Sequence, residues 1–225
     1  LKLALDTSQS SGSIALWDAG RVVYSACFDV DITHSETLMP QVDAAFKLCG
    51  YSPEALEAVL VTKGPGSFTG LRIGLATAKG IAYGLKIPLL AFSTLKLAAL
   101  QRYNCGRDIL AVLDAKMKET YAAKYDEHLH ELYKPQVCPP AELMNWGLQD
   151  CYLLGSGAVL VQPLFQKAGI SMMEVPAQPL SAAGLFVLEE LFPQEERYDL
   201  NALAALEPEY LRESTAQIRR GKGSS

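Results

Sequence analysis

The sequence predicts a duplicated α/β fold, two mixed sheets with a cleft between them. Three observations carry this. Apolar segments follow a βββαβα order in the first half, and the second half partly repeats it. Each half opens on an apolar strand that leads to an acid, Asp6 after LKLAL and Asp114 after ILAVL. The composition, 49% hydrophobic and 20% charged over 225 residues, is that of a packed globular chain and not of a disordered or fibrous one.

Taken in order, Leu1 to Leu5 reads as a buried strand and Asp6 to Gly12 as a polar turn. Ser13 to Trp17 and Arg21 to Val30 are two further strands joined at Asp18-Ala19-Gly20, which completes an antiparallel meander. The period then changes. From Thr33, an N-cap candidate, Leu38, Met39, Val42, Ala45, Phe46 and Cys49 follow helical spacing, and Gly50 ends the run. Ala58 to Thr62 is a short buried strand that enters a Gly-Pro-Gly turn, and a long helix runs from about Ser67 to Gly84. Leu89 to Phe92 closes the first unit.

In the second half, 109–113, 120–125 and 132–137 form a second meander. A helix near 141–146, a strand at 151–154 and helices near 159–167 and 181–192 follow. The division falls into 1–104 and 105–225, with a mobile tail expected from Arg219 onward.

Charge and cysteines narrow the function classes. Lys and Arg total 20 against 25 Asp and Glu, so the formal charge is −5, which argues against gripping nucleic acid unaided. Five cysteines (27, 49, 105, 138 and 151) are odd in number and form no C-x-x-C pair, against a disulfide framework or a zinc knuckle. No secretory leader is visible, and the longest apolar region carries Arg72, Lys79 and Lys86, so no membrane span and a cytoplasmic address are expected.

The segment Lys63 to Gly74, KGPGSFTGLRIG, is the loudest motif. A glycine-rich turn entering a helix can offer backbone N–H groups to an anion, yet this one is neither a Walker A loop nor G-x-G-x-x-G. Behind it Gly70, Gly74, Ala78 and Ala82 recur every four residues as one small-residue stripe. Such a stripe serves either packing inside the fold or contact with a partner. His34, His128 and His130 form no helical ligand pair, and no G-x-S-x-G elbow supports a hydrolase triad. Asp6, with Ser8 beside it, and Asp114 are placed either to hold a nucleotide's metal, as the strand-end acid of actin-like ATPases does, or to close Asx turns.

The stretches LALDTSQSSGSIAL, HSETLMP, VTKGPGSFTGLRIGLATAKGIAYGLKIPLLAFSTL, LDAKMKETYAA and PEYLR resemble the TsaB (YeaZ) family over essentially the whole chain. The resemblance implies the duplicated fold of actin, sugar kinases and chaperone ATPases (ASKHA). It also implies a degenerate paralogue of TsaD, the subunit that attaches a threonylcarbamoyl group to the adenosine beside the anticodon of tRNA. Where TsaD carries an H-x-x-x-H metal pair, this sequence has Thr94 and Ala98. The resemblance therefore implies a scaffold with no catalytic residues, metal or cofactor of its own, which binds TsaD and with it the ATPase TsaE and meets tRNA only through that complex. The family's partner surface maps to the first two helices, here through His34, Leu38, Val42, Phe46, Phe68, Gly70, Leu71, Gly74, Leu75 and Ala78. A homodimer through the same face is expected for the isolated chain. On this reading Gly74→Leu or Ala78→Trp breaks partner binding and leaves the fold intact. The competing reading is an autonomous actin-like ATPase or small-molecule kinase using Asp6, Ser8 and Asp114.

Overall fold

The computed structural model describes residues 1–29 and 34–211; the expected N-cap at Thr33, the end of the third strand at Val30 and the tail from Arg219 lie outside them. The first unit runs β1 (Lys2–Asp6), β2 (Ser11–Asp18), β3 (Arg21–Asp29), α1 (His34–Cys49), β4 (Ala58–Gly64), α2 (Phe68–Leu85), β5 (Leu89–Ser93) and α3 (Thr94–Ala99). The second runs β6 (Ile109–Asp114), β7 (Thr120–Tyr125), β8 (Glu131–Cys138), a 3₁₀ segment (Pro140–Trp146), β9 (Cys151–Leu154), α4 (Ala158–Lys167) and β10 (Met172–Glu174). Then come α5 (Gly184–Leu191) and α6 (Leu200–Ala205).

The duplication is explicit in the topology. One sheet has the order β3-β2-β1-β4-β5 and the other β8-β7-β6-β9-β10, so the same plan is built twice. In each, the central strand pairs antiparallel with its meander neighbour and parallel with the strand that returns by a crossover. The central strands are covered on both faces, which is why LKLALD and ILAVLD read as unbroken apolar runs rather than alternating ones.

Side-chain alternation sorts the core into layers. Leu3, Leu5, Ile14, Leu16, Val59 and Val61 face α1 and α2 and pack against Leu38, Val42, Phe46, Leu75 and Ala78. Ala4, Ala15, Ala58 and Leu60 point the other way, into a core shared with Ile109, Ala111, Leu113 and the inward sides of α3 and α5. A third cluster holds Leu110, Val112 and Leu153 against Val161 and Phe165 of α4. Lys124 is buried beneath that layer. Its ammonium meets Asp108 at 2.9 Å and donates to the carbonyls of Gly147 (2.9 Å) and Trp146 (3.5 Å), so its charge is paired and its donors are used.

Three short elements were not foreseen: α3, β10 and α6. The helix expected at 141–146 is a 3₁₀ segment that opens on two prolines, Pro139 and Pro140. The helix expected from Ser181 begins at Gly184, after a turn in which Ser181 and Ala182 carbonyls accept from Gly184 and Leu185. All five cysteines are free thiols; burial pushes the Cys138 and Cys151 thiols up. No helix among the described residues is long and apolar enough to cross a membrane.

Candidate functional site

The end of β1 is clasped by the glycine-rich loop. Asp6 is 1% exposed; its Oδ1 accepts the Ser8 N–H (3.0 Å) and the Thr62 hydroxyl (2.6 Å). The Thr7 hydroxyl donates to the Gly70 carbonyl at 2.7 Å, and the Ser67 N–H donates to the Ser8 carbonyl at 2.8 Å. Ser67 caps α2, its Oγ accepting from the Gly70 N–H at 3.2 Å. A Cβ on Gly66 would stand 2.2 Å from the Ser8 carbonyl oxygen. On Gly70 it would stand 2.0 Å from that of Thr7, and on Gly74 2.2 Å from Thr7 Oγ1. Gly66 and Gly70 admit the chain's own backbone and Gly74 the Thr7 side chain, and the N–H groups of Ser67 and Gly70 that would cradle an anion are already bonded within the chain.

The second half repeats the device. Gly157 N–H donates to the Val112 carbonyl at 3.0 Å, and Gly155, at φ +100°, leaves no room for a Cβ beside that same oxygen. Asp114 Oδ1 accepts the Lys116 N–H at 2.7 Å and Oδ2 meets the Lys116 ammonium at 2.8 Å. Ser156 Oγ accepts the Asp114 N–H and donates to Gln9 Oε1 at 3.0 Å, which ties the two halves together. Lys116, Met117 and Lys118 all sit at positive φ (62°, 53° and 63°), a strained tip on the β6–β7 hairpin.

Both strand-end acids therefore close Asx turns, each through its Oδ1 and the N–H two residues on. Thr94 and Ala98 are fully buried in α3, and no group of three metal-ligating side chains occurs among the described residues. Burial pushes the Asp114 carboxyl up, but the Lys116 N–H and ammonium outweigh it and hold the group below its usual range. A carboxyl lowered on folding contributes stability above its unfolded pKa of about 3.9, and that contribution disappears as pH falls through the lower folded value. Thermal unfolding should therefore show Asp114→Asn less stable than wild type near neutral pH, with the two converging as pH falls through the lowered folded value.

The structure places most residues of the expected partner face inward. Leu38, Val42, Phe46, Leu71, Leu75 and Ala78 are core residues, and Gly70 and Gly74 are buried against Thr7. The Gly70-Gly74-Ala78-Ala82 stripe packs inside the fold, so Gly74→Leu or Ala78→Trp attacks the core and not an interface. Of the ten residues named, Phe68 alone is substantially exposed, at 47%; the His34 side chain lies outside the described residues. The residues these two helices expose are a different set. Thr69, Arg72, Ala76, Gly80, Tyr83 and Gly84 are exposed on α2, with Met39 and Leu48 on α1. A Cβ on Gly80 or Gly84 would meet nothing within 4 Å, and Tyr83 and Leu48 are 61% and 76% exposed.

A strap formed by α6 and residues 206–211 runs along the other flank of α2. Lys79 donates to the Ala204 carbonyl at 3.1 Å, Glu209 N–H to the Lys63 carbonyl at 2.7 Å, and Arg72 Nε to the Tyr210 hydroxyl at 2.8 Å. Between strap and β5 lies a cleft of about 360 Å³ bounded by Lys63, Ile87, Leu89, Arg197, Tyr198 and Leu203.

Two sheets of one strand order, each with its central strand end clasped by a glycine loop, define the class: a duplicated actin-like (ASKHA) protein. The family model described as TsaD, tRNA N6-adenosine threonylcarbamoyltransferase, matches residues 29–219. The tRNA threonylcarbamoyladenosine biosynthesis protein TsaB of Escherichia coli is 30% identical, over 95% of each chain. The TsaB of Haemophilus influenzae is 26% identical, over 93% of this chain and 92% of its own. A crystal structure from Pseudomonas aeruginosa, of a protein with similarity to YeaZ, superimposes with a TM-score of 0.79 at 27% identity, over 94% of this chain and 99% of that one. This chain belongs to the TsaB (YeaZ) branch of the TsaD family.

Proposed function

We propose that this chain is a non-catalytic subunit in the synthesis of threonylcarbamoyladenosine in tRNA, and that it binds a TsaD-like catalytic subunit through the outward face of α1 and α2. One observation carries the reading. The strand-end acids are closed into turns, whereas the outward side of α2 leaves Tyr83, Gly80 and Gly84 open to close approach by another surface. Small residues let a partner backbone come near, and the flanking apolar side chains supply contact area.

Through the catalytic subunit the chain meets a TsaE-like ATPase and tRNA, in keeping with a charge of −5 that leaves phosphate contacts to the partner. The complex is cytoplasmic. A second copy occupies the same face when the catalytic subunit is absent, and in the functional division into 1–104 and 105–225 the helices of the partner surface belong to the first part.

Sedimentation velocity of the chain mixed with the TsaD-like subunit of the same organism tests this. A species at the summed mass is expected, together with loss of tRNA modification when the chain is left out of a reconstitution. No association, with and without nucleotide, would refute it.

A further inference from the structure

We propose that Arg72, held against Phe68 and Tyr210, is a preformed receptor for a carboxylate side chain of the partner subunit, and so the anchor of the α1/α2 face. This rests on the function proposed above and adds the chemistry by which the partner is recognised. The Arg72 guanidinium carbon lies 3.8 Å from the centroid of the Phe68 ring and 5.8 Å from that of Tyr210. The two rings are themselves 5.1 Å apart, and Nε donates to the Tyr210 hydroxyl. All three side chains are exposed, although two separate elements, α2 and the strap, hold them in place.

Nε alone is engaged with the strap. The two terminal nitrogens remain, and among the described residues Arg72 has no carboxylate partner. A guanidinium with its plane fixed and its outer fork unmatched suits bidentate binding of a carboxylate. Fixing it in advance also removes part of the ordering cost of association. On α2 itself Arg72 and Lys79 are accompanied by no acid, and Glu209 of the strap is paired with Lys63 at 3.8 Å. Arginine and tyrosine are also the side chains in which interface binding energy concentrates. The cluster continues the exposed row Arg72, Ala76, Gly80 and Tyr83, so a partner seated on that row reaches it.

The strap thereby acquires a role beyond packing. Tyr210 orients the arginine, and Glu209 and Lys79 hold the strap that carries Tyr210. The sequence PEYL and the helix turn FTGLR, far apart in the chain, build one epitope.

The test is the affinity of the purified full chain for the purified TsaD-like subunit, without tRNA, at ~50 and ~500 mM salt. Arg72→Met should raise Kd about 30-fold and flatten the salt dependence. Arg72→Lys keeps the charge and should remain within about threefold of Arg72→Met, because an ammonium cannot match a carboxylate with two donors. Tyr210→Phe, which removes only the orienting hydroxyl, should cost about fivefold. Circular dichroism melts of each variant confirm the fold. Wild-type affinity and salt dependence in Arg72→Met, with Gly80→Trp failing to bind, would overturn the anchor and leave the face standing. Full rescue by lysine would overturn carboxylate recognition by the fork. Failure of the wild type to bind the subunit would remove the function reading itself.

Discussion

Gly70→Ala is expected to destabilise the fold by about 3 kcal/mol or more, a large effect for one methyl group. The added carbon would stand 2.0 Å from the carbonyl oxygen of Thr7, and that oxygen belongs to backbone that cannot yield. Thr7 is tied to Gly70 by its own hydroxyl, and the next residue, Ser8, accepts the Ser67 N–H and donates its own N–H to Asp6. To relieve the clash, either α2 lifts off the end of β1 or these hydrogen bonds break in a buried site. Gly80→Ala is the control. It lies on the same helix, meets nothing within 4 Å, and replaces glycine by a better helix former, so it should stabilise by roughly 0.5–1 kcal/mol. Urea unfolding of both variants measures the contrast. Equal midpoints would mean that α2 does not pack on Thr7.

That contrast shows what the sequence could and could not reveal. Apolar runs and turn residues located both meanders, the long helices and the duplication, because strand burial and glycine turns leave direct local signatures. The strap left none: α6 is six residues long, and the tilted ring contact of Tyr210 with Phe68 joins positions far apart in the chain. Helical periodicity identified which residues share a side of α2 but not which side turns inward. Two small-residue rows exist on this helix, Gly70-Gly74-Ala78-Ala82 and Ala76-Gly80-Gly84. The neighbours separate them. The first row is flanked by Leu71 and Leu75 and packs in the core, and the second by Arg72, Lys79 and Tyr83, which reach the surface or the strap. For Asp6 and Asp114, residue type and place at a strand end are the same for an Asx turn as for a ligand. Only the positions of Ser8, Thr62 and Lys116 show that the turns form.

Gly80→Trp is expected to weaken association with the TsaD-like subunit at least about 100-fold while leaving the melting temperature of the isolated chain nearly unchanged. An indole at position 80 projects into open space, so nothing in the chain opposes it, and its cost to helix propensity relative to glycine is negative. The partner would meet it instead. With Ala76 one turn before and Gly84 one turn after, position 80 is the middle of the lowest part of the exposed row, where another backbone can come closest. Filling that place holds the two surfaces apart and removes packing across the whole face, which is why a loss of about 3 kcal/mol, or about 100-fold in Kd, is the expected scale. Sedimentation equilibrium of the mixture gives the affinity, and a thermal melt of the chain alone gives the fold. Retention of wild-type affinity by a folded Gly80→Trp chain would move the partner surface off α2. Loss of the fold would mean that the row faces inward after all, against the open space observed at Gly80 and Gly84.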